Sequence, residues 1–269
     1  MLTVVRIVVM VGMLLVVPMG LRLVGGLAPA ARWWPVAAAP AAVGLWLPRG
    51  PVAVVTTAGY AVAAALLAAV AARRLLRRGV SPREIAVATA LTGPLVAATA
   101  LVAERAGHEL FGFELPVLVL TVAHFHMAGF AAALVAGLAG RAAAGRAGDA
   151  AALTVPAGIA LVFAGFFVGE WVELAGATVL TAGMWLVGVL TWRQLRPAGG
   201  DRLTRALLGV SAVVLAATMV LALSWALGEA TGLPHPSLAW MAATHGVGNA
   251  LGFAVCGMFG IARLRAEPL

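Results

Sequence analysis

The sequence predicts an all-α, polytopic transmembrane helix bundle of about nine segments. Of its 269 residues, 63% are hydrophobic and only 10% charged, and the mean hydropathy is +1.04, which lies outside the range of soluble globular domains. The charges fall in short clusters between apolar runs of about 20 residues, each long enough to cross a bilayer as a helix. Every second cluster is rich in arginine, the alternation expected of a chain that crosses a membrane repeatedly. A soluble enzyme is excluded. The longest break is about a dozen residues, so residues 1–269 read as a single integral membrane domain with no appended soluble module.

The apolar runs place segments near 7–24, 33–48, 52–72, 85–103, 115–140, 151–169, 171–192, 205–227 and 238–262. The first two are the candidates for a re-entrant or interfacial course, because Pro18 falls inside one and the run from Trp33 to Leu47 is short. The first segment has Arg6 before an apolar run but lacks a small-residue cleavage site ahead of polar sequence, so it reads as retained and not as a signal peptide.

Orientation follows from arginine. The net charge of +8 comes from 18 arginines and no lysine against 10 acidic residues, and the arginines sit beside membrane segments, which disfavours nucleic acid as a partner. Arg73, Arg74, Arg77, Arg78 and Arg83 follow the third segment, Arg141 and Arg146 the fifth, Arg193, Arg196, Arg202 and Arg205 the seventh, and Arg263 and Arg265 the ninth. These breaks are expected on the cytoplasmic side, with the C-terminus. The intervening breaks carry Glu104, Glu109, Glu114, Glu170, Glu173 and Glu229. This puts the N-terminus outside, where Arg6 is a mild exception.

Ionisable groups at membrane depth are costly and mark functional sites. His124 and His126 lie well inside the fifth segment and His245 inside the ninth. At about 1.5 Å per residue all three fall about 10–15 Å below the outer boundary. Glu104, Glu170 and Glu173 fall at or just above that layer. Positions two apart point about 200° from each other, so His124 and His126 are not expected to chelate one ion on a regular helix. His245 and Asn249, four apart, share a face, as do Glu170 and Glu173, three apart. His108 and His235 sit in outer breaks and read as structural or solvated, as do Glu109, Glu114 and Glu229. Cys256 is the one cysteine, which excludes an intrachain disulfide and leaves it a packing residue. Tryptophans near segment ends, including Trp46, Trp171, Trp192 and Trp240, read as interface anchors.

The run His124-Phe125-His126 looks like the His-Phe-His run in subunit I of haem-copper oxidases. The rest of that site is missing: five histidines are too few, and no His-Pro-Glu-Val-Tyr motif is present. Together with Gly129-Phe130, and with His245-Gly246, Asn249-Ala250 and Gly252-Phe253, the same run resembles the YndJ-like family of bacterial membrane proteins. The resemblance implies a bacterial plasma-membrane location and carries His124, His126, His245 and Asn249 over as family positions without assigned chemistry.

Two functions remain open on the sequence. One is transporter-like handling of a small solute or ion with proton or cation coupling, in which His124, His126, His245, Asn249, Glu104, Glu170 and Glu173 form the site and Gly246-Val247-Gly248 lets the ninth segment unwind. The other is an integral-membrane enzyme holding a transition metal or haem through His124, His126, His245, Glu170 and Glu173. No Walker loop, dinucleotide fingerprint or serine-nucleophile motif appears. The oligomeric state is not legible.

Overall fold

The computed structural model describes residues 1–143 and 145–264, so Arg265 lies outside the described residues. Among these the regular secondary structure is all helical, with one isolated bridge between Leu110 and Phe113. Eight helices are long and apolar enough to cross a membrane: α1 Leu2–Leu23, α3 Pro51–Arg78, α4 Pro82–Ala106, α5 Leu115–Ala143, α6 Arg146–Val168, α7 Glu170–Leu195, α8 Arg202–Thr231 and α9 Leu238–Arg263. Between α1 and α3 lies α2, Ala28–Gly44, a helix of 17 residues.

The observed helices run past the apolar limits at their charged ends. Arginine is a good helix former, and a cation is stabilised near a helix C-terminus. Arg73, Arg74, Arg77 and Arg78 accordingly lie inside the last turns of α3 and not in a loop. Glu229 likewise belongs to α8. Pro18 does not break α1: a widened π turn over Gly12–Val16 shifts the register, and Pro18 stands in the first turn of the α-helix that follows, where its missing N–H is not needed.

Among the described residues the helices pack as two compact units, one of Met1–Gly79 with Ala88–Ala131, the other of Val80–Val87 with residues 132–143 and 145–264. In the first unit, α2 runs the length of its neighbours. The Arg74 Nη1 near the end of α3 donates to Gly25 O just before α2, at 3.3 Å. At the other end of α2, Arg105 from α4 donates to Leu45 O at 3.2 Å and Leu47 O at 3.0 Å. Seventeen residues span about 25 Å, so α2, which is not among the eight long apolar helices, lies beside them as a short helix followed by an irregular turn. At that second end Arg6 of α1 lies over the Trp46 ring, 5.6 Å from its centroid. Arg6, the arginine that the sequence left unexplained, thus meets an aromatic face. On the opposite face α3 exposes Val52, Val55, Val62 and Leu66, with Val55 73% exposed, a surface suited to lipid.

The second unit is held by close helix approach. A Cβ added at Gly158 of α6 would lie 2.5 Å from the Leu180 Cα of α7, one at Gly176 of α7 would lie 2.7 Å from the Leu161 carbonyl carbon of α6, and one at Gly183 would meet the Thr154 hydroxyl at 2.7 Å. Small residues bring the backbones together where lipid supplies no hydrophobic drive between helices. At its basic end, Asp201 caps α8 by accepting from the Thr204 N–H at 3.0 Å and pairs with Arg263 of α9 at 3.2 Å.

Candidate functional site

In the first unit His126 is built into the packing, whereas His108 is exposed. His126 is fully buried. Its Nδ1 stands 2.6 Å from the Val122 carbonyl oxygen, which can only accept, so Nδ1 carries the proton. Nε2 is then the acceptor for the hydroxyl of Tyr60, 2.5 Å away. Tyr60 meets Trp34 edge to face at 5.3 Å, and the Trp34 N–H donates to Met13 O at 2.9 Å. Gly12 gives the imidazole room, since a Cβ there would lie 2.6 Å from His126 Cβ. A turn of π-helix over Phe125–Ala132 begins beside the ring. His124 points elsewhere, as its two-residue offset requires, and is partly exposed with its ring edge-on to Phe125 at 5.8 Å.

Glu104 is also engaged within its unit. It is wholly buried, accepts from Nε and Nη2 of Arg105, and accepts from Arg49 at 2.9 Å. Because Arg105 also reaches the carbonyls that end α2, the cluster clamps the α2–α3 turn to the end of α4. Buried charges persist only when paired and hydrogen-bonded in this way.

In the second unit the structure brings His245 and Asn249 together with a residue the sequence did not single out, Thr218 of α8. His245 Nδ1 lies 2.8 Å from the Thr218 carbonyl oxygen and so carries the proton. Asn249 Nδ2 lies 3.1 Å from His245 Nε2. The Thr218 hydroxyl lies 2.7 Å from Asn249 Oδ1 and 3.2 Å from Leu215 O. The three side chains form a closed chain of donors and acceptors. They sit where α9 is widened into π turns over Ala242–Gly246 and Gly248–Val255, and both His245 and Asn249 retain partial exposure. Such turns concentrate at functional sites. The only cue to Thr218 in the sequence was a hydroxyl inside an apolar run.

Glu170 and Glu173 occupy the first turn of α7, and Glu173 is within electrostatic reach of Glu229 at the end of α8. His235 is engaged by Glu229 and Trp225. Its Nε2 is 3.1 Å from Glu229 Oε1, and its ring meets Trp225 edge to face at 4.9 Å. Among the described residues, no three His, Cys, Asp or Glu side chains come together in a way that could hold a metal ion.

Fold and site together define a polytopic helical membrane protein with buried polar and charged groups inside its helices. The chain belongs to the YndJ-like protein family, whose model matches residues 7–253. None of the curated proteins and none of the solved structures matches it.

Proposed function

We propose that the protein is a transporter of a small solute or ion, coupled to protons, in the plasma membrane of a bacterium, with its C-terminus in the cytoplasm and His245 as the proton-binding group. One observation carries this reading: the His245–Asn249–Thr218 chain has a complete set of partners in two protonation states. In the neutral state Asn249 donates to His245 Nε2 and Thr218 donates to Asn249 Oδ1. When a proton binds Nε2, the Asn249 amide turns over and its Oδ1 accepts from Nε2–H. The amide N–H then donates to the Thr218 hydroxyl oxygen, and that hydroxyl donates to Leu215 O, which already lies 3.2 Å away. Amide oxygen and nitrogen are nearly the same size, so the exchange needs no movement of the helices. Each of the three side chains keeps a hydrogen-bond partner in either state, which offsets part of the cost of charging a group at this depth.

Glu170 and Glu173 lie at the end of the unit where α8 meets α9, and His245 is seven residues into α9, about 10 Å along its axis. In this reading they pass protons or cations toward the imidazole from the outer side. The neighbouring Gly246 and Gly248 leave the α9 backbone room to open.

The test is proton flux in proteoliposomes carrying an internal pH-sensitive dye, under an imposed membrane potential, with sodium or potassium outside. Wild-type protein should carry protons, and His245→Asn and Asn249→Leu should not, while both stay inserted. Flux that is unchanged in His245→Asn would sink the assignment.

A further inference from the structure

The basic end of the second unit holds a groove of about 570 Å³ between the end of α7 and the start of α8. Its mouth is cationic. Arg196, Arg202 and Arg205 line it, and Asp201, next to Arg202 in the chain, is occupied by the Thr204 N–H and by Arg263. Arg196 is held in place: its guanidinium lies 4.1 Å over the Trp192 ring, and a Cβ at Gly209 would lie 3.3 Å from its Nε. Arg205 is steadied by a 3.3 Å hydrogen bond from Nη1 to Gly199 O.

Below the mouth the lining changes character. Ala206, Val210 and Val213 continue the stripe that begins at Arg202, at the four-, eight- and eleven-residue offsets of one helix face. Val210 and Val213 are exposed. From Arg202 to Val213 is about 16 Å along the axis. The groove therefore has three cations at the end of the membrane-spanning helices and an uncovered apolar trough running inward from them. An amphiphile with an anionic head and a hydrocarbon tail is complementary to both parts, whereas a soluble phosphate would use only the first.

We propose that this groove binds one anionic phospholipid, with its phosphate among Arg196, Arg202 and Arg205 and one acyl chain along Ala206, Val210 and Val213. Basic pockets between helices recognise anionic headgroups in this way, each arginine contributing about fivefold in affinity. Trp192 sits at the headgroup level, where its indole is at home. The site is independent of the His245 chain and of the transport reading.

The experiment titrates the full-length protein, in a neutral detergent, with palmitoyl-oleoyl phosphatidylglycerol or phosphatidylcholine and counts retained lipid by native mass spectrometry. Wild type should retain one phosphatidylglycerol per chain and bind phosphatidylcholine at least about tenfold more weakly. The triple variant Arg196→Gln, Arg202→Gln, Arg205→Gln should lose at least about tenfold in phosphatidylglycerol affinity. Val213→Trp, which fills the trough and keeps every arginine, should also weaken retention. Arg202, Arg205 and Val213 are exposed and Arg196 is partly so, so the protein should stay folded and inserted, with thermal unfolding little changed. Equal retention by wild type and triple variant would overturn the proposal. Displacement of the lipid by millimolar inorganic phosphate would replace it with a soluble anion, and a dimer abolished by Val213→Trp would replace it with a second copy of the chain.

Discussion

The hydroxyl of Tyr60 donates to Nε2 of His126 across 2.5 Å, and the opposite nitrogen of the same ring is held by the Val122 carbonyl. The ring has no nitrogen left for a ligand, and its partner is the only tyrosine in the chain. His126 is thereby a joint between α1, α3 and α5, packed against Gly12 on one side and Tyr60 on the other.

The joint predicts a specific pattern of stability loss. Tyr60→Phe leaves a buried acceptor without a donor and should cost about 1–3 kcal/mol. Tyr60→Phe combined with His126→Leu removes both partners and should cost less than the two single changes summed. Unfolding in mixed micelles measures all three. Strict additivity would mean that the two side chains do not act as a pair.

Arg105→Ala and Glu104→Gln should both be damaging. Without Arg105 the Glu104 carboxylate stays buried beside Arg49 alone, and breaking a buried pair from one side costs about 3–5 kcal/mol. The glutamine leaves the buried Arg105 guanidinium without its counter-charge and turns an NH2 group toward an arginine donor, so it should cost a similar amount. Membrane abundance and thermal unfolding give the comparison, and wild-type stability of Glu104→Gln would show that the clamp does not depend on charge.

The glycine contacts make a sharper test of helix packing than hydropathy does. Gly176→Ala pushes a methyl into the backbone of α6 and should destabilise by about 1–3 kcal/mol. Gly59→Ala of α3 meets nothing within 4 Å and should be neutral or stabilising by up to about 1 kcal/mol through helix propensity. The same unfolding assay reads both, and the reverse order would contradict the α6–α7 interface.

Asp201 sets a pH dependence. The Thr204 backbone N–H and hydroxyl, with Arg263 beside them, hold its carboxyl down to about 2 from the ordinary 3.8. A group whose pKa is depressed on folding stabilises the fold above its ordinary value and loses that contribution as pH falls through the lowered one. The difference in melting temperature between wild type and Asp201→Ala should therefore be constant from pH 8 to pH 5 and shrink between pH 4 and pH 2. A difference that grows on acidification would contradict the cap.

The two ends of the chain should lie on opposite sides of the membrane. Counting α2 as a crossing beside the eight long helices gives nine, and the positive-inside rule then predicts the arginine-rich ends on the cytoplasmic side. A reporter that works only in the cytoplasm should be active when fused after Leu269 and inactive before Met1. Activity at both ends would reduce the count to eight and return α2 to a re-entrant course.

The sequence alone determined the class of protein, the positions of its helices and the family, because apolar length and charge alternation are local properties that a bilayer reads directly. It also determined that His124 and His126 diverge and that His245 and Asn249 share a face, since helical periodicity settles neighbours up to four residues apart. It underestimated the charged ends of the helices, because a hydropathy boundary marks where lipid ends and not where backbone hydrogen bonding stops. Only the tertiary structure decided which partners the buried groups take. Thr218 reaches Asn249 from 31 residues away, and Tyr60 reaches His126 from 66. Such pairings depend on which helices touch and at what rotation, and here that is set by the close approach of small residues such as Gly12. Alanine and glycine recur so often along this chain that composition could not distinguish the contacts that matter from the rest.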